Sequence, residues 1–264
     1  GEPVTGLPAV DAGGQCGLHD VVLDPAYAQN GWVYWSYAEA GEGGNSTAVA
    51  RGKLQGTRMV EVQKIFTQVP KVSSQQHCGS RLVFARDGRL FVTLGDRFSR
   101  KDDAQNPANH LGKIVRIEAD GRVPADNPFV GREGAAPEVW SLGHRNVQGA
   151  DLNPNTGVLW TVEHGPQGGD ELNIPQAGRN YGWPIICYCE DYGGAPMVDS
   201  PVREGMEQPI YYWDPVIAPG DMDFYRGDLF PWRGDILIAG LRSQQLVRLR
   251  LENERVVGEE RFAL

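Results

Sequence analysis

Several side chains able to hold or move a proton stand at the ends of apolar runs in this chain. His77 precedes Cys78-Gly79, His144 opens His144-Arg145-Asn146-Val147-Gln148, His164 sits in Glu163-His164-Gly165-Pro166, and Asp96 follows a run in Gly95-Asp96-Arg97. An imidazole with a carboxylate nearby to set its tautomer is the usual general base near neutral pH. A permanently charged guanidinium such as Arg145, beside amide side chains, suits a ligand that bears a carboxylate or develops an oxyanion. Gly165-Pro166 offers backbone carbonyls, which hard cations such as calcium accept. Taken singly these signals are weak: a lone His at a strand end is more often a hydrogen-bonded surface residue, Gly-Asp more often a turn, and Gly165 to Gly169 a loop. The chemistry stands only if the fold brings these groups together.

The elements that must do so recur. A glycine or its equivalent leads a short apolar run, a polar turn follows, and a second run rich in β-branched and aromatic residues closes the unit. The copies are Gly17 to Trp35, Gly79 to Thr93 with a turn at Asp87-Gly88, Gly149 to Val162 with a turn at Asn153-Pro154-Asn155, and Met222 to Ile238. Their starts at 17, 79, 149 and 222 are 62, 70 and 73 residues apart. Each leaves room for two more strands, and four antiparallel strands per repeat without helical periodicity is the signature of a β-propeller blade. The sequence therefore predicts an all-β propeller with blades at about 17–70, 79–142, 149–213 and 222–264, in preference to a β-sandwich.

If the innermost strand of a blade is A and the next B, the residue before A and the residue after B lie on one face, because A and B run antiparallel. That places Gln15, His77 and the run His144 to Gln148 beside Asp96, Glu163, His164 and Arg242. Three of the five histidines thus converge with amide, guanidinium and carboxylate groups on one mouth of the central channel, the default place for a ligand.

Composition excludes several classes. Lys+Arg 25 against Asp+Glu 34 gives a formal charge of -9, and no basic run exceeds two residues, so nucleic acid is a poor partner. No apolar stretch approaches the roughly 20 residues that span a bilayer, and Gly1-Glu2-Pro3 is no signal peptide. Gly 34 and Pro 18 make about a fifth of the chain, against roughly 12% on average, which argues against long helices. The four cysteines match no zinc spacing.

The motifs Gly14-Gln15-Cys16-Gly17-Leu18, His77-Cys78-Gly79-Ser80-Arg81-Leu82, Leu94-Gly95-Asp96, Gly143 to Gly149, Glu163 to Asn173 and Asn180-Tyr181-Gly182-Trp183-Pro184 resemble the soluble PQQ-dependent glucose/sorbosone dehydrogenases, most closely the bacterial aldose sugar dehydrogenases. The resemblance runs through nearly the whole chain. It implies a six-bladed type of propeller holding pyrroloquinoline quinone (PQQ) and calcium, which oxidises the C1 hydroxyl of an aldose to the lactone by hydride transfer to the quinone. By the same resemblance His77 is the general base, Asp96 orients it, and Arg145 binds the quinone and stabilises its developing oxyanion. Gln15, Asn146, Gln148, His164 and Arg242 match cofactor-contacting positions, the carbonyls of Gly165 and Pro166 match calcium ligands, and Trp213 falls near the substrate wall. An external electron acceptor and a periplasmic or secreted location are implied as well. Two other functions compete: a non-catalytic binding propeller, and a calcium-dependent propeller lactonase, which would want a central cluster of acidic and amide ligands.

Three departures qualify the match. Arg242 stands where the best-known glucose enzymes carry lysine. Cys16 and Cys78 flank Gln15 and His77; a disulfide between them is conceivable, but the spacing of inner strands in adjacent blades argues against it, and Cys187 and Cys189 read as two separate thiols. Finally, family members have a further blade before the equivalent of Gly1 and another after the equivalent of Leu264. The sequence is therefore expected to be a fragment of a longer product, with about four blades in an open, incomplete ring.

Overall fold

The computed structural model describes residues 1–263. The first sheet comprises β1 (Leu18–Leu23), β2 (Trp32–Gly41), β3 (Gly44–Gln55) and β4 (Arg58–Thr67). The second comprises β5 (Leu82–Phe84), β6 (Leu90–Leu94), β7 (Lys113–Ile117) and β8 (Val139–Leu142). The third contains β9 (Val147–Leu152), β10 (Leu159–Glu163), β11 (Asp170–Asn173) and β12 (Tyr211–Trp213), and the fourth β13 (Pro219–Phe224), β14 (Ile236–Gly240), β15 (Gln245–Glu252) and β16 (Arg255–Ala263). In each sheet the strands pair in chain order, all antiparallel. Among the described residues the helical content is a single turn at Tyr27–Asn30 and a 3-10 turn at Lys101–Gln105. No helix among the described residues is long and apolar enough to cross a membrane.

Apolar side chains on both faces of the middle strands explain the stacking, since each sheet is covered by its neighbours. Tyr34 and Val49 of the first sheet pack with Leu90, Val92 and Val115 of the second. Phe91 and Ile114 meet Leu159 of the third. Trp160, Val162 and Leu172 pack with Phe224, Ile238 and Val247 of the fourth. The inner strands add a polar latch: an Asp20 carboxylate oxygen accepts the Leu82 N–H at 2.9 Å, and Asp151 accepts the Phe224 N–H at 2.9 Å. Each latch satisfies a backbone donor that strand pairing leaves free at the inner edge.

Inner strands meet in the order β1, β5, β9, β13, and among the described residues no ladder joins the fourth sheet to the first. The ring is open, as expected. One result is that Leu18, Val21 and Leu23 of β1 remain 58%, 65% and 54% exposed, where a closed propeller would cover them.

The cysteine expectations are corrected. Cys16 is bonded to Cys78, and Cys187 to Cys189. The inner ends of the first two sheets converge enough to bring the first pair of Cα atoms to 5.9 Å, and the chain turn at Tyr188 brings the second to 5.3 Å, both within disulfide reach.

Candidate active site

His77 precedes β5 and Asp96 follows β6, so their antiparallel pairing sets the two side by side. His77 Nδ1 lies 2.7 Å from an Asp96 oxygen. Gly95 permits the approach, because a Cβ there would stand 2.0 Å from the His77 carbonyl oxygen. The same Asp96 oxygen accepts the Phe98 N–H at 2.7 Å, and its other oxygen accepts the Trp183 indole N–H at 2.7 Å. With Asp96 taking the proton on Nδ1, the lone pair of His77 is left on Nε2, and that atom has no protein partner among the described residues. Burial holds the His77 imidazole below its ordinary value; Asp96 opposes this, while Arg145 and Arg97 add to it. The ring is therefore a neutral base at pH 7.

Arg145 precedes β9 and is buried. Its guanidinium donates to the carbonyls of His164 and Gly165 at 3.1 and 2.9 Å and to the Tyr192 hydroxyl at 2.9 Å, and it lies over the Trp183 ring. Its Nε–H is buried without a partner. Glu163, at the end of β10, accepts the Arg145 backbone N–H at 2.7 Å. His164 is next; burial, then the charge of Arg145, hold it down at about 4.

The amides mostly serve positioning. Gln15 accepts the His77 backbone N–H at 2.8 Å, and Asn146 accepts the Gly79 N–H and a Gln148 side-chain N–H, each at 3.2 Å. A cavity of about 590 Å3 opens alongside, with Pro166, Gln167, Tyr188, Tyr192, Asp214 and Arg242 among its lining residues. Arg242 is therefore brought to the rim together with Pro166.

Two expected members do not face the mouth. His144 is fully buried, with Nδ1 2.9 Å from Glu163 and Nε2 2.9 Å from Ser141, and its ring stacks on Tyr181. Trp213 is buried in the packing of the third and fourth sheets, its indole N–H donating to Glu259 at 2.8 Å. Ending a strand on the inward-facing side of the sheet, it fills core rather than lining a substrate wall. Conversely, Phe98 (44% exposed) and Tyr192 (63% exposed) were not anticipated. Phe98 sets its ring edge-to-face on His77 at 5.2 Å, and Tyr192 lies 6.4 Å from Phe98. Phe98 directly follows Gly95-Asp96-Arg97 and so could have been suspected; Tyr192 lies in an irregular excursion with no such signal.

Comparison with known proteins gives the family of the chain. The family model described as glucose/sorbosone dehydrogenase matches residues 1–264. The aldose sugar dehydrogenase YliI of Escherichia coli K12 is 40% identical over 98% of this chain and 71% of its own length. A solved glucose dehydrogenase superposes with a TM-score of 0.97 at 46% identity, over 99% of this chain and 77% of that one. The PQQ-bound aldose sugar dehydrogenase of Streptomyces coelicolor gives 0.76 at 28% identity, over 97% and 69%. Since the match runs from one end of the sequence to the other, this chain belongs to the glucose/sorbosone dehydrogenase family.

Proposed function

We propose that this sugar oxidoreductase uses PQQ and calcium to oxidise the C1 hydroxyl of aldoses to the lactone. The observation that carries this is the unpartnered Nε2 of a neutral, Asp-oriented His77 beside Arg145, whose buried Nε lacks an acceptor. The site suits an anionic quinone, because the guanidinium of Arg145 has an N–H without an acceptor. The S. coelicolor relative, bound to PQQ, supports the same choice. For calcium the donor chemistry is carbonyl oxygen at Gly165 and Pro166. Gly165 has no room for a side chain, a Cβ there falling 2.2 Å from the Gly168 carbonyl oxygen, and its own carbonyl, which accepts from Arg145, has a second lone pair to give.

PQQ, when bound, would supply a hydride acceptor, and calcium held by the carbonyls of Gly165 and Pro166 would supply Lewis-acid assistance. His77 Nε2 takes the proton of the C1 hydroxyl. Asp96 steadies the imidazolium that results. Arg145 offers its free Nε–H where negative charge develops, a preorganised donor worth roughly two to three powers of ten in rate. Gln15 holds His77 by its backbone, while Asn146, Gln148, His164 and Arg242 line the cofactor side. Phe98 and Tyr192 provide apolar faces for the sugar ring. The two disulfides fit the oxidising periplasmic or extracellular setting typical of such bonds.

The test is to add PQQ and calcium, measure PQQ binding by fluorescence with and without a calcium chelator, and follow reduction of an artificial acceptor by aldoses. Sugar-dependent reduction is expected, with weaker PQQ binding after chelation. Bound PQQ with no sugar-dependent reduction would favour a non-catalytic propeller. Hydrolysis of a lactone without quinone would favour the calcium-dependent lactonase instead.

A further inference from the structure

Arg97 lies between Asp96 and Phe98, and its side chain is fully buried (0% exposed). All its hydrogen-bond acceptors are neutral. Nε donates to the Gln76 carbonyl at 3.1 Å, one terminal nitrogen to the Asn45 carbonyl at 3.4 Å, and the other to the Cys16 sulfur at 3.5 Å, the Asn45 side-chain oxygen and the Ser74 carbonyl. Burial lowers its pKa to about 10, which leaves it charged at neutral pH. A buried charge without a hydrogen-bonded carboxylate is costly, so its location asks for a return elsewhere.

That return is visible in the backbone. Ser74 and Gln76 lie just before His77, and Cys16 follows Gln15, whose side chain holds the His77 N–H. His77, Arg97 and Phe98 all adopt left-handed conformations, with φ of 49°, 60° and 60°. Non-glycine residues persist there only when the surroundings over-determine them, and such clusters mark functional sites. Here the two turns bring Asp96 onto Nδ1 and Phe98 onto the imidazole ring.

We infer that Arg97 is the positioning residue of the His77–Asp96 pair: its guanidinium ties the segment before His77 to the segment around Asp96 and sets a positive charge beside the imidazole. The inference rests on His77 being the base. The charged or titratable groups facing His77 are Asp96, which favours its protonated form, Arg145 and Arg97, whose positive charges oppose it, and His164, a neutral ring at pH 7 because it is held down at about 4. Removing Arg97 therefore moves the His77 titration to higher pH.

The experiment compares Arg97→Met and Arg97→Lys in the full chain. Histidine ring signals are followed by NMR against pH without cofactor, with His77→Ala assigning the resonance, and turnover is measured with PQQ and calcium. In Arg97→Met the His77 titration should move upward, and kcat should fall about 100-fold from misplacement of the base, with the sugar KM nearly unchanged. Arg97→Lys keeps the charge but loses the fork, so its titration should stay near wild type while kcat still falls at least tenfold. An unmoved His77 titration in Arg97→Met overturns the inference, whatever the stability. Should Arg97→Met not fold, Arg97→Lys decides: wild-type kcat overturns the inference, and a lowered kcat at unchanged KM supports it. If the wild-type protein itself shows no sugar-dependent reduction, the dehydrogenase proposal fails, while the NMR titration still decides the role of Arg97.

Discussion

Two histidine–carboxylate pairs occupy matching places in the second and third blades. His77 and Asp96 are 19 residues apart in sequence and 2.7 Å apart in space; His144 and Glu163 are also 19 residues apart, at 2.9 Å. Both use Nδ1, and both bind the inner strand of a blade to the end of the next strand. Their other nitrogens differ. His144 Nε2 is bonded to Ser141 beneath the Tyr181 ring, whereas His77 Nε2 has no partner among the described residues, and Phe98 packs on its ring. The repeat supplies the pair, and chemical potential comes from leaving one nitrogen unsatisfied.

The sharpest way to break this contrast is His77→Ala. It should lower kcat by about 10²- to 10⁴-fold, the usual contribution of a general base, while PQQ binding measured by fluorescence persists; loss of binding alone would remove the assignment. In the wild type, activity should be present at neutral pH and disappear as pH falls through the His77 pKa, below the ordinary 6.5, since the neutral ring is the active form. Asp96→Asn comes next, with kcat reduced about 100-fold or more because an amide can fix the wrong tautomer. In the third blade, His144→Ala should act on folding instead, lowering unfolding stability by about 3 kcal/mol as Glu163 and Ser141 lose their partner; the fall in kcat should stay below tenfold. A drop equal to that of His77→Ala would erase the distinction.

The smallest effect is expected at Glu171, which accepts a hydrogen bond from the Asn173 side chain at 3.2 Å. Burial, then the charge of Glu163, push its carboxyl up to about 8. A raised pKa means stability that is complete below the unfolded value of 4.5 and lost as pH rises toward 8. Glu171→Gln should therefore raise the melting temperature, with a gain that grows from pH 4.5 to 8 and vanishes in acid; a gain independent of pH would refute the cause.

The blades were legible in the sequence because every inner hairpin carries its own turn signal, such as Asp87-Gly88, between runs that suit only strands. Antiparallel geometry was then enough to join His77 with Asp96 and Arg145 with His164. Burial was not legible. His144 and His77 have the same local context, and only the three-dimensional placement of Ser141 and Tyr181 separates them. Trp213 failed for a similar reason: an aromatic residue at a strand end serves core and site equally well until the neighbouring sheet is in place. Tyr192 and the Cys187–Cys189 bond lie in the excursion of residues 174–210, where no periodicity constrains the path. Arg97 looked like part of a turn, since nothing in Gly95-Asp96-Arg97 announces that its charge points inward.

The bond between Cys16 and Cys78 spans 62 residues and so encloses the first sheet in a covalent circle. A loop of that length removes about 4 kcal/mol worth of freedom from the unfolded chain in the chain-entropy description. Its more specific result concerns partial opening. Local opening of the first sheet would ordinarily carry Gln15 away from His77. Tethered through the adjacent sulfurs, the glutamine keeps a high effective concentration at the histidine, so the reactive centre can re-form at once even when the blade beside it has loosened.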